Sequence, residues 1–321
     1  MPRTLLFLLL ICPFALLGAE QSNPDKTSEE VRNQFTTQRA IVTGLVEGVT
    51  EYLPVSSTGH MIISDAIMGV DKSSTQVEAS VVDRKGRRLS LEKIADDYIV
   101  IIQLGAILAV LFIFYQRMSS VIVGIFKGSR SSIFLALAIL IAFLPAAIIG
   151  LLIKDYIPFD VTIVALALII GGFVIIIAEE KLPKIPSDNT GELYVTPQQA
   201  VCIGLCQCVA LIPGTSRSLA TILGGRWAGL SSAVATEFSF LVGFVILSAA
   251  SVYKMYSLGP ALLKVYPIGN ASLGLLVAAV AAFISVKWMI GFIMRRGLKP
   301  FAWYRIIAGL LLLGAKSLGY F

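Results

Sequence analysis

Charged residues and histidine are scarce in this chain. Of its 321 residues, 14% are charged and 56% are hydrophobic, and there is one histidine. A soluble domain carries roughly a quarter charged residues, so the composition excludes an ordinary soluble domain. Apolar runs long enough to span a bilayer, about 20 residues each, recur along the chain. They predict a polytopic membrane protein.

Cysteines are also few, and their spacing excludes a zinc site. Of the four, Cys12 lies near the N-terminus, while Cys202, Cys206 and Cys208 share one apolar stretch with a spacing that fits no zinc pattern. The net charge of +6 does not indicate nucleic acid, because the cytoplasmic loops of membrane proteins collect Lys and Arg and the sequence shows no basic face interleaved with aromatic residues.

The N-terminal segment is typical of a secretory signal peptide. Arg3 precedes an apolar core from Leu5 to Leu17, and the small residue Ala19 stands at the expected cleavage point. An uncleaved anchor is the alternative. Residues 20–35 are polar and charged, so we expect a solvated, poorly ordered lead-in. Residues 36–321 then form a single membrane domain.

Six apolar runs predict membrane-spanning helices; they cover about 98–115, 133–153, 160–178, 233–254, 270–292 and 301–319. Basic residues cluster in two of the loops between them, and the bias of Lys and Arg toward the cytoplasm places both loops there. These residues are Arg117, Lys127, Arg130, Arg295, Arg296 and Lys299. The N-terminus is then outside, as a cleaved signal peptide also requires.

Two segments, about 36–69 and 196–230, resemble each other at an offset of 160 positions. The matched pairs are Gln38/Gln198, Ala40/Ala200, Gly44/Gly204, Leu45/Leu205 and Val49/Val209, followed after a one-residue deletion by Pro54/Pro213 and Ser57/Ser216. Each segment is interrupted by its proline, and each piece is short for a full crossing. Such pieces predict re-entrant helix–turn–helix hairpins that reach mid-membrane and return.

Three spans separate the two hairpins, so they must enter from opposite faces. That arrangement is an inverted repeat, and it brings the two proline turns together near mid-membrane. The predicted fold class is therefore an all-α polytopic membrane protein, with about six transmembrane helices and two re-entrant hairpins.

Residues 71–97 form a polar insert on the outer side. Val77, Ala79 and Val81 alternate with polar residues before a turn at residues 83–86, and Leu89 and Leu91 alternate after it. This pattern predicts a small β-hairpin. Its basic tip either guides anionic substrates or is a solvated decoration.

Glu47 and Glu51 lie four residues apart on one helical face of an otherwise apolar segment. Ionised carboxylates inside a membrane are costly and usually line a cavity. Two such charges repel each other unless one is protonated or a cation lies between them. With a phosphorylated substrate, Mg²⁺ or Ca²⁺ held by carboxylate and phosphate oxygens fits this pair. The alternative is a Glu that only caps or packs a helix.

His60 follows Ser57 by three residues, which on the first turn of a helix puts both side chains on one side. Histidine can deprotonate a serine or protonate a leaving oxygen near neutral pH. Taken alone, a single histidine is more often structural. The neighbouring Glu47, Glu51 and hydroxyl-rich turn favour a catalytic role.

The second proline turn, residues 213–218, has the composition of an anion site at a helix N-terminus. Free N–H groups and hydroxyls can bind phosphate, and Arg217 can hold two phosphate oxygens at once. The alternative is an N-cap with an interfacial arginine. The candidate phosphate-binding residues are Gly214, Thr215, Ser216, Arg217 and Ser218, with Ser56 and Thr58 in a second, similar turn. We expect Glu237 to pair with Arg217, and Gln103 to make a helix–helix hydrogen bond.

At these residues the chain resembles the undecaprenyl-pyrophosphate phosphatase family, the membrane enzymes linked with bacitracin resistance. The resemblance is carried by residues 44–63 and 213–218, with further agreement at 102–110 and 237–241, and it extends from about residue 36 to the C-terminus. It implies an all-helical fold with inverted repeats. It also implies hydrolysis of a polyprenyl diphosphate to the monophosphate, which recycles the lipid carrier for cell-wall synthesis.

The resemblance further implies a site that opens outward and needs a divalent cation. It assigns Glu47 and Glu51 to metal or proton handling, His60 to acid–base work and Ser57 to nucleophilic attack, while Arg217 with Ser216 and Ser218 binds phosphate. Whether serine, histidine or a water attacks stays open. Leu219 departs from the family, which usually has glycine there, and the leader and the 71–97 insert are extra.

The residues and the resemblance together predict a multi-pass phosphatase of the cell membrane whose active site opens to the extracytoplasmic side. Its partners are the bilayer and a polyprenyl diphosphate, with no nucleic acid, and a homodimer is left open. The alternative is a transporter or flippase of an anionic polyprenyl lipid, because inverted repeats with broken helices are also a transporter architecture.

Overall fold

A computed structural model describes residues 25–153, 156, 160–183, 185, 193–259 and 261–320. The signal peptide predicted for residues 1–19 lies outside this part of the chain. Regular structure in the described residues is helical apart from two strands of two residues each. The elements, in order, are β1 (Asp25–Lys26), α1 (Ser28–Asn33), α2 (Thr37–Thr50), α3 (Ser57–Ile67), β2 (Gln76–Val77), α4 (Leu91–Ile113), α5 (Tyr115–Phe126), α6 (Arg130–Ile153), α7 (Val161–Lys181), α8 (Pro197–Cys208), α9 (Arg217–Trp227), α10 (Ser232–Leu258), α11 (Ala261–Val265), α12 (Ile268–Arg296) and α13 (Lys299–Ser317).

The six predicted spans correspond to α4, α6, α7, α10, α12 and α13. Within the described residues, all of these except α13 are long and apolar enough to cross a membrane. Helix α13 has 19 residues and is more polar, because Arg305 and Lys316 interrupt its apolar run. The prediction of an all-α, multi-pass membrane protein is confirmed.

Helix α5 was not predicted. Its 12 residues were assigned to a cytoplasmic loop, yet they form a helix with no buried residue. Ile122, Val123 and Phe126 are exposed, whereas Arg117 reaches Glu237 on α10 at 2.9 Å. An apolar face with basic residues is typical of a helix that lies in the membrane interface. At 12 residues α5 is too short for a membrane span, so the search for long apolar runs could not indicate it.

The two repeated segments are broken helices, as predicted. Helices α2, α3, α8 and α9 have 14, 11, 12 and 11 residues. At 1.5 Å per residue the longest reaches about 21 Å, which is short of a hydrocarbon core about 30 Å thick. None of the four can cross a bilayer by itself. The entry of the two hairpins from opposite faces remains a prediction.

The repeat keeps one register through both hairpins. Helices α3 and α9 begin at Ser57 and Arg217 and have the same length of 11 residues, so the offset at both ends is 160. Matching the prolines through a one-residue deletion is therefore wrong at the helix starts, where Ser57 corresponds to Arg217 rather than to Ser216. The N-caps before these residues, and not the prolines, determine where each helix begins.

Close helix packing depends on small residues on α2 and α12. Helix α2 packs on α12 as α8 packs on α6, so the contacts of one half recur in the other. A Cβ atom on Gly44 would lie 2.5 Å from the Gly274 carbonyl oxygen, and one on Gly48 would lie 2.4 Å from that of Ala278. Small residues let two helix backbones approach this closely.

The lead-in differs from its prediction. Residues 25–35, expected to be solvated and poorly ordered, form β1 and α1, which begins with a capping box between Thr27 and Glu30. Val31 and Phe35 are buried and pack in a cluster that includes Tyr98 of α4. The four-residue spacing of Val31 and Phe35 gives a short apolar face, which the polar composition concealed.

The predicted hairpin in the insert is present only in part. Antiparallel bridges join Gln76 to Ser90 and Val82 to Arg88 on either side of the turn at Gly86, while β2 also pairs in parallel with β1. Val77 and Leu89 are buried as the alternation predicted, whereas Ala79 is exposed. The base of the insert is thus packed in the protein, and its basic tip at residues 84–88 is exposed.

We expect Gly48→Val to destabilise the protein, because the added side chain must push α2 away from α12. Overpacking of this kind costs about 1–3 kcal/mol, which corresponds to a fall of roughly 5 °C in the midpoint of thermal unfolding. The measurement is thermal unfolding in detergent followed by size-exclusion chromatography. Gly291→Val is the control, since a Cβ atom at Gly291 on α12 meets nothing within 4 Å. Equal midpoints for the two variants would contradict the packing argument.

The turn of the insert depends on the Asp83 carboxylate. Although burial opposes its ionisation, hydrogen bonds from the Arg87 N–H and guanidinium and from the Lys85 N–H lower the pKa of Asp83 to about 2. We expect Asp83→Asn to make tryptic cleavage in this basic turn several times faster. Glu92→Gln is the control, because Glu92 is an exposed acid on the first turn of α4.

The same carboxylate predicts a pH dependence. Because its pKa is depressed in the folded state, its stabilisation is complete above the ordinary value of 3.8 and is lost as the pH falls through about 2. Hydrogen exchange of the Lys85 and Arg87 amides, corrected for the intrinsic rate, should therefore accelerate over that interval. Unchanged protection at the low end would show that the carboxylate does not hold the turn.

Candidate active site

The starts of α3 and α9 meet at a cavity of 190 Å³. Most of the residues singled out in the two turns line it, together with Gln103 of α4, which was expected to make only a helix–helix hydrogen bond. The lining residues are Glu51, Ser56, Ser57, Thr58, Gln103, Ala210, Ile212, Pro213, Gly214, Ser216 and Arg217. The convergence of the two turns on one cavity is the arrangement that the repeat predicted.

Two serines in an unusual backbone conformation shape this cavity. Ser56 and Ser216, the N-caps of α3 and α9, have φ of 71° and 75°, and they are the only residues other than glycine with positive φ in the described part of the chain. Such a conformation costs of order 1–3 kcal/mol and tends to occur at functional sites. It turns the chain so that the next residues, Ser57 and Arg217, line the cavity from opposite halves of the repeat.

Glu51 is the common partner of these two residues. Its Oε2 accepts a hydrogen bond from Ser57 Oγ at 2.6 Å, and its Oε1 accepts one from Arg217 Nη2 at 3.1 Å. The prediction that Glu237 pairs with Arg217 is wrong. Glu237 pairs with Arg117 instead, because the unpredicted helix α5 brings Arg117 to the start of α10.

The Arg217 guanidinium is held on several sides. Its Nη1 donates to the Ser239 carbonyl at 3.3 Å, and its Cζ lies 5.0 Å from the centre of the Tyr52 ring. Gly243 on α10 leaves the necessary room, since a Cβ atom there would lie 1.9 Å from Nη1. The Nε–H group has no hydrogen-bond partner among the described residues. Arg217 lines the cavity, so its positive charge can act on an anion there.

Glu47 lies one helical turn before Glu51 and is buried, with 1% of its surface exposed. Neither of its carboxylate oxygens makes a hydrogen bond of normal geometry within the described residues, and the polar side chain beside it is that of Gln103 on α4. An ionised carboxylate in this position is costly unless a proton or a cation compensates it. Such an orphaned carboxylate beside Glu51 fits the predicted divalent cation.

The protein alone does not supply a complete metal site. Across the described ranges, no group of three or more His, Cys, Asp and Glu side chains could hold a metal ion. Two carboxylates are, however, the usual protein contribution to an Mg²⁺ ion whose other ligands are substrate phosphates and waters. Glu47 and Glu51 therefore fit a cation that binds together with a phosphorylated substrate.

His60 makes no hydrogen bond to Ser57 within the described residues, although their spacing predicted both side chains on one side of the helix. Its Nδ1 lies 2.7 Å from the Ser56 carbonyl oxygen, and its Nε2 lies 2.5 Å from the Tyr304 hydroxyl. Because a carbonyl only accepts, Nδ1 carries the proton and Nε2 accepts from Tyr304. His60 lines a larger cavity of 760 Å³ between α2 and α3. The hydrogen bond to Ser56 thus connects His60 to the smaller cavity of 190 Å³, here called the Glu51 cavity, which Ser56 and Glu51 line.

The hydroxyls of Ser216 and Ser218 tie the second turn to the first. Ser218 Oγ donates to the Leu53 carbonyl at 2.8 Å and lies 3.0 Å from Ser216 Oγ. Ser218 is fully buried, and neither it nor Thr215 is among the described residues that line the cavity. Leu219, which stands where the family usually has glycine, packs in the main hydrophobic core.

Sequence reasoning missed Arg305 on α13. It is fully buried, and its guanidinium donates to the carbonyls of Pro54 at 3.2 Å, Gly214 at 3.0 Å and Ala167 at 3.0 Å. Pro54 and Gly214 belong to the two turns that form the cavity. An arginine inside the apolar run 301–319 was the available signal, since charges inside spans are costly and usually functional.

Comparison with known proteins shows which family this chain belongs to. Residues 40–311 match the family described as Bacitracin resistance protein BacA. The chain is 40% identical over 280 residues to undecaprenyl-diphosphatase 1 of Chromobacterium violaceum, covering 86% of this chain and 94% of that protein. It is 39% identical over 282 residues to an undecaprenyl-diphosphatase of Acinetobacter baumannii, covering 87% and 95%. A third relative, an undecaprenyl-diphosphatase of Sorangium cellulosum, is 41% identical over 280 residues, covering 85% and 84%. The chain therefore belongs to the bacitracin resistance protein BacA family.

Proposed function

We propose that this chain hydrolyses undecaprenyl diphosphate to the monophosphate and inorganic phosphate, and so returns the lipid carrier for cell-wall synthesis. The observation that carries the proposal is the contact of Ser57 and Arg217 with one carboxylate, Glu51, in a cavity. A hydroxyl, a base and a phosphate-binding cation are the groups that phosphoryl transfer needs. The names of the relatives at about 40% identity support the same reaction.

The diphosphate is bound by positive charge from both halves of the repeat. The N-termini of α3 and α9 both begin at the cavity, and a helix N-terminus favours an anion. Arg217, which lines the cavity, adds the positive charge of a guanidinium. When bound, a divalent cation held by Glu47 and Glu51 with diphosphate oxygens would neutralise charge on the transferred phosphoryl group.

Ser57 is the proposed nucleophile. Its Oγ–H already donates to Glu51 at 2.6 Å, so Glu51 can accept the proton as Oγ forms a bond to the terminal phosphorus. The bond from that phosphorus to the bridging oxygen breaks, and polyprenyl monophosphate leaves with the electron pair. Water then releases inorganic phosphate from Ser57. If water attacks directly, the same carboxylate orients it.

His60 acts from the other side of the first turn. Its hydrogen bond to the Ser56 carbonyl supports the strained residue that comes just before Ser57. The Tyr304 hydroxyl fixes the His60 ring through Nε2. The Tyr304 hydroxyl and the His60 imidazole together provide a path for protons to the larger cavity. This role is consistent with acid–base work, but it does not require direct contact between His60 and Ser57.

We also propose that the protein lies in the cell membrane with its active site open to the extracytoplasmic side. The basic residues that flank α5 and those between α12 and α13 support a cytoplasmic location for those helix ends. By alternation, the start of α2 lies outside. The cavity of 760 Å³ that reaches His60 is lined at its other end by Gln34, Thr36 and Arg39, near that start.

Phosphate release from a long-chain polyprenyl diphosphate by the purified protein should depend on Mg²⁺ or Ca²⁺ and stop with chelator. Glu47→Gln and Glu51→Gln should each lose that activity, because a neutral amide neither holds the cation nor accepts a proton. The exposed Glu92→Gln should keep it. An absence of release in detergent, alongside measurable lipid binding, would favour a transporter, since detergent leaves no second compartment.

Ser57→Ala, His60→Ala and Arg217→Ala should each lower kcat by about a hundredfold or more, which is the usual cost of losing one transition-state donor. Steady-state phosphate release checks this, with insertion and monodispersity verified by size-exclusion chromatography. Ser80→Ala is the matched control for Ser57, because Ser80 is an exposed serine of the insert. Near-normal turnover of Arg217→Ala would overturn its assignment as the phosphate clamp.

A further inference from the structure

Arg305 links three elements around the candidate site. It projects from α13, and its Nη1 donates to the Pro54 carbonyl of the first turn. Its Nη2 donates to the Gly214 carbonyl of the second turn and to the Ala167 carbonyl of α7. The Ser218 hydroxyl also bridges the turns, through the Leu53 carbonyl and the Ser216 hydroxyl, but it does so from within the second turn. Arg305 is a cation from a separate helix, and the spacing of the two turns depends on its guanidinium as well as on these hydroxyls.

The charge of Arg305 has no carboxylate partner. Within the described residues no Asp or Glu oxygen lies within ion-pair distance of it, whereas the buried Arg217 and Arg226 pair with Glu51 and Glu179. Burying an unpaired cation is costly, and the carbonyl oxygens that Arg305 contacts offset only part of that cost. The guanidinium also has an Nε–H group without a partner.

The surrounding helix provides space for this cation. A Cβ atom on Gly171 of α7 would lie 2.3 Å from Arg305 Nη2 and 3.0 Å from its Nε. Gly171 is itself buried in the middle of α7, where glycine lowers helix stability. The protein thus keeps a glycine that lowers the stability of α7, and a buried charge on α13 that no carboxylate of the described residues balances.

We propose that Arg305 is a positioning residue of the phosphatase site, which holds the two turns at the distance that a diphosphate needs and whose charge the bound diphosphate balances. Glu51 pairs with Arg217, so the charge of Arg305 is the one that a bound diphosphate can balance. A bound diphosphate brings negative charge to the cavity wall that the two turns form. The Pro54 and Gly214 carbonyls of these turns accept hydrogen bonds from Arg305. This inference rests on the proposed function and extends it to α13.

The test compares Arg305→Met, which removes the charge and the donors, with Arg305→Lys, which keeps the charge. Binding is measured for two probes, a polyprenyl methylenediphosphonate that cannot be hydrolysed and the corresponding polyprenol. We expect Arg305→Met to weaken diphosphonate binding at least about tenfold and kcat about a hundredfold, with polyprenol binding unchanged. Arg305→Lys should restore part of the diphosphonate binding and part of kcat. Lys299→Met, which removes an exposed cation of the same helix, should match the wild type.

A purely structural role for Arg305 would weaken both probes equally and lower thermal stability in proportion, and that outcome would overturn the inference. So would normal diphosphonate binding by Arg305→Met. If Arg305→Met does not insert, Gly171→Ala decides the matter, because it displaces the guanidinium and keeps its charge. Gly171→Ala should lower kcat more than it weakens diphosphonate binding, and no change would overturn the inference. Failure of the wild type to release phosphate would instead count against the proposed function.

Discussion

The junction of the two turns is the constraint on which the site depends. In a bilayer no water satisfies exposed carbonyls, so each must find a donor within the protein. The breaks at the two turns free the carbonyls of Leu53, Pro54 and Gly214. Ser218 donates to the first, and Arg305 donates to the other two. The groups that satisfy the broken backbone also fix the width of the cavity between the turns.

A symmetric scaffold supports asymmetric chemistry. The two halves share the register of α3 and α9 and the strained serines that precede them. At the same offset, however, Ser57 corresponds to Arg217, and Glu47 corresponds to Gln207, which donates to the Ala142 carbonyl at 3.4 Å. One half thus provides the carboxylates and the hydroxyl, while the other provides the cation. Because both turns meet at one cavity, divergence of the halves produces a complete set of groups.

The segments before α2 and between α3 and α4 pack on one end of the molecule. Residues 25–35 and the insert contribute Val31, Phe35 and Val77 to a cluster with residues of α4, α11 and α12. That cluster contains none of the described residues that line the Glu51 cavity. Its effect is therefore on the packing of the helix ends, and the chemistry of the site does not require it.

The sequence alone determined the membrane class, the broken helices and the identity of most cavity residues, because hydropathy, proline breaks and internal repetition are local properties of the chain. It could not determine the partners. Arg217 reaches Glu51 across 166 positions, His60 reaches Tyr304 across 244, and Arg305 reaches Pro54 across 251. Helical periodicity shows which residues share a face, but not which face of another helix lies opposite. That choice depends on how small residues let the helices pack, which only the tertiary structure decides.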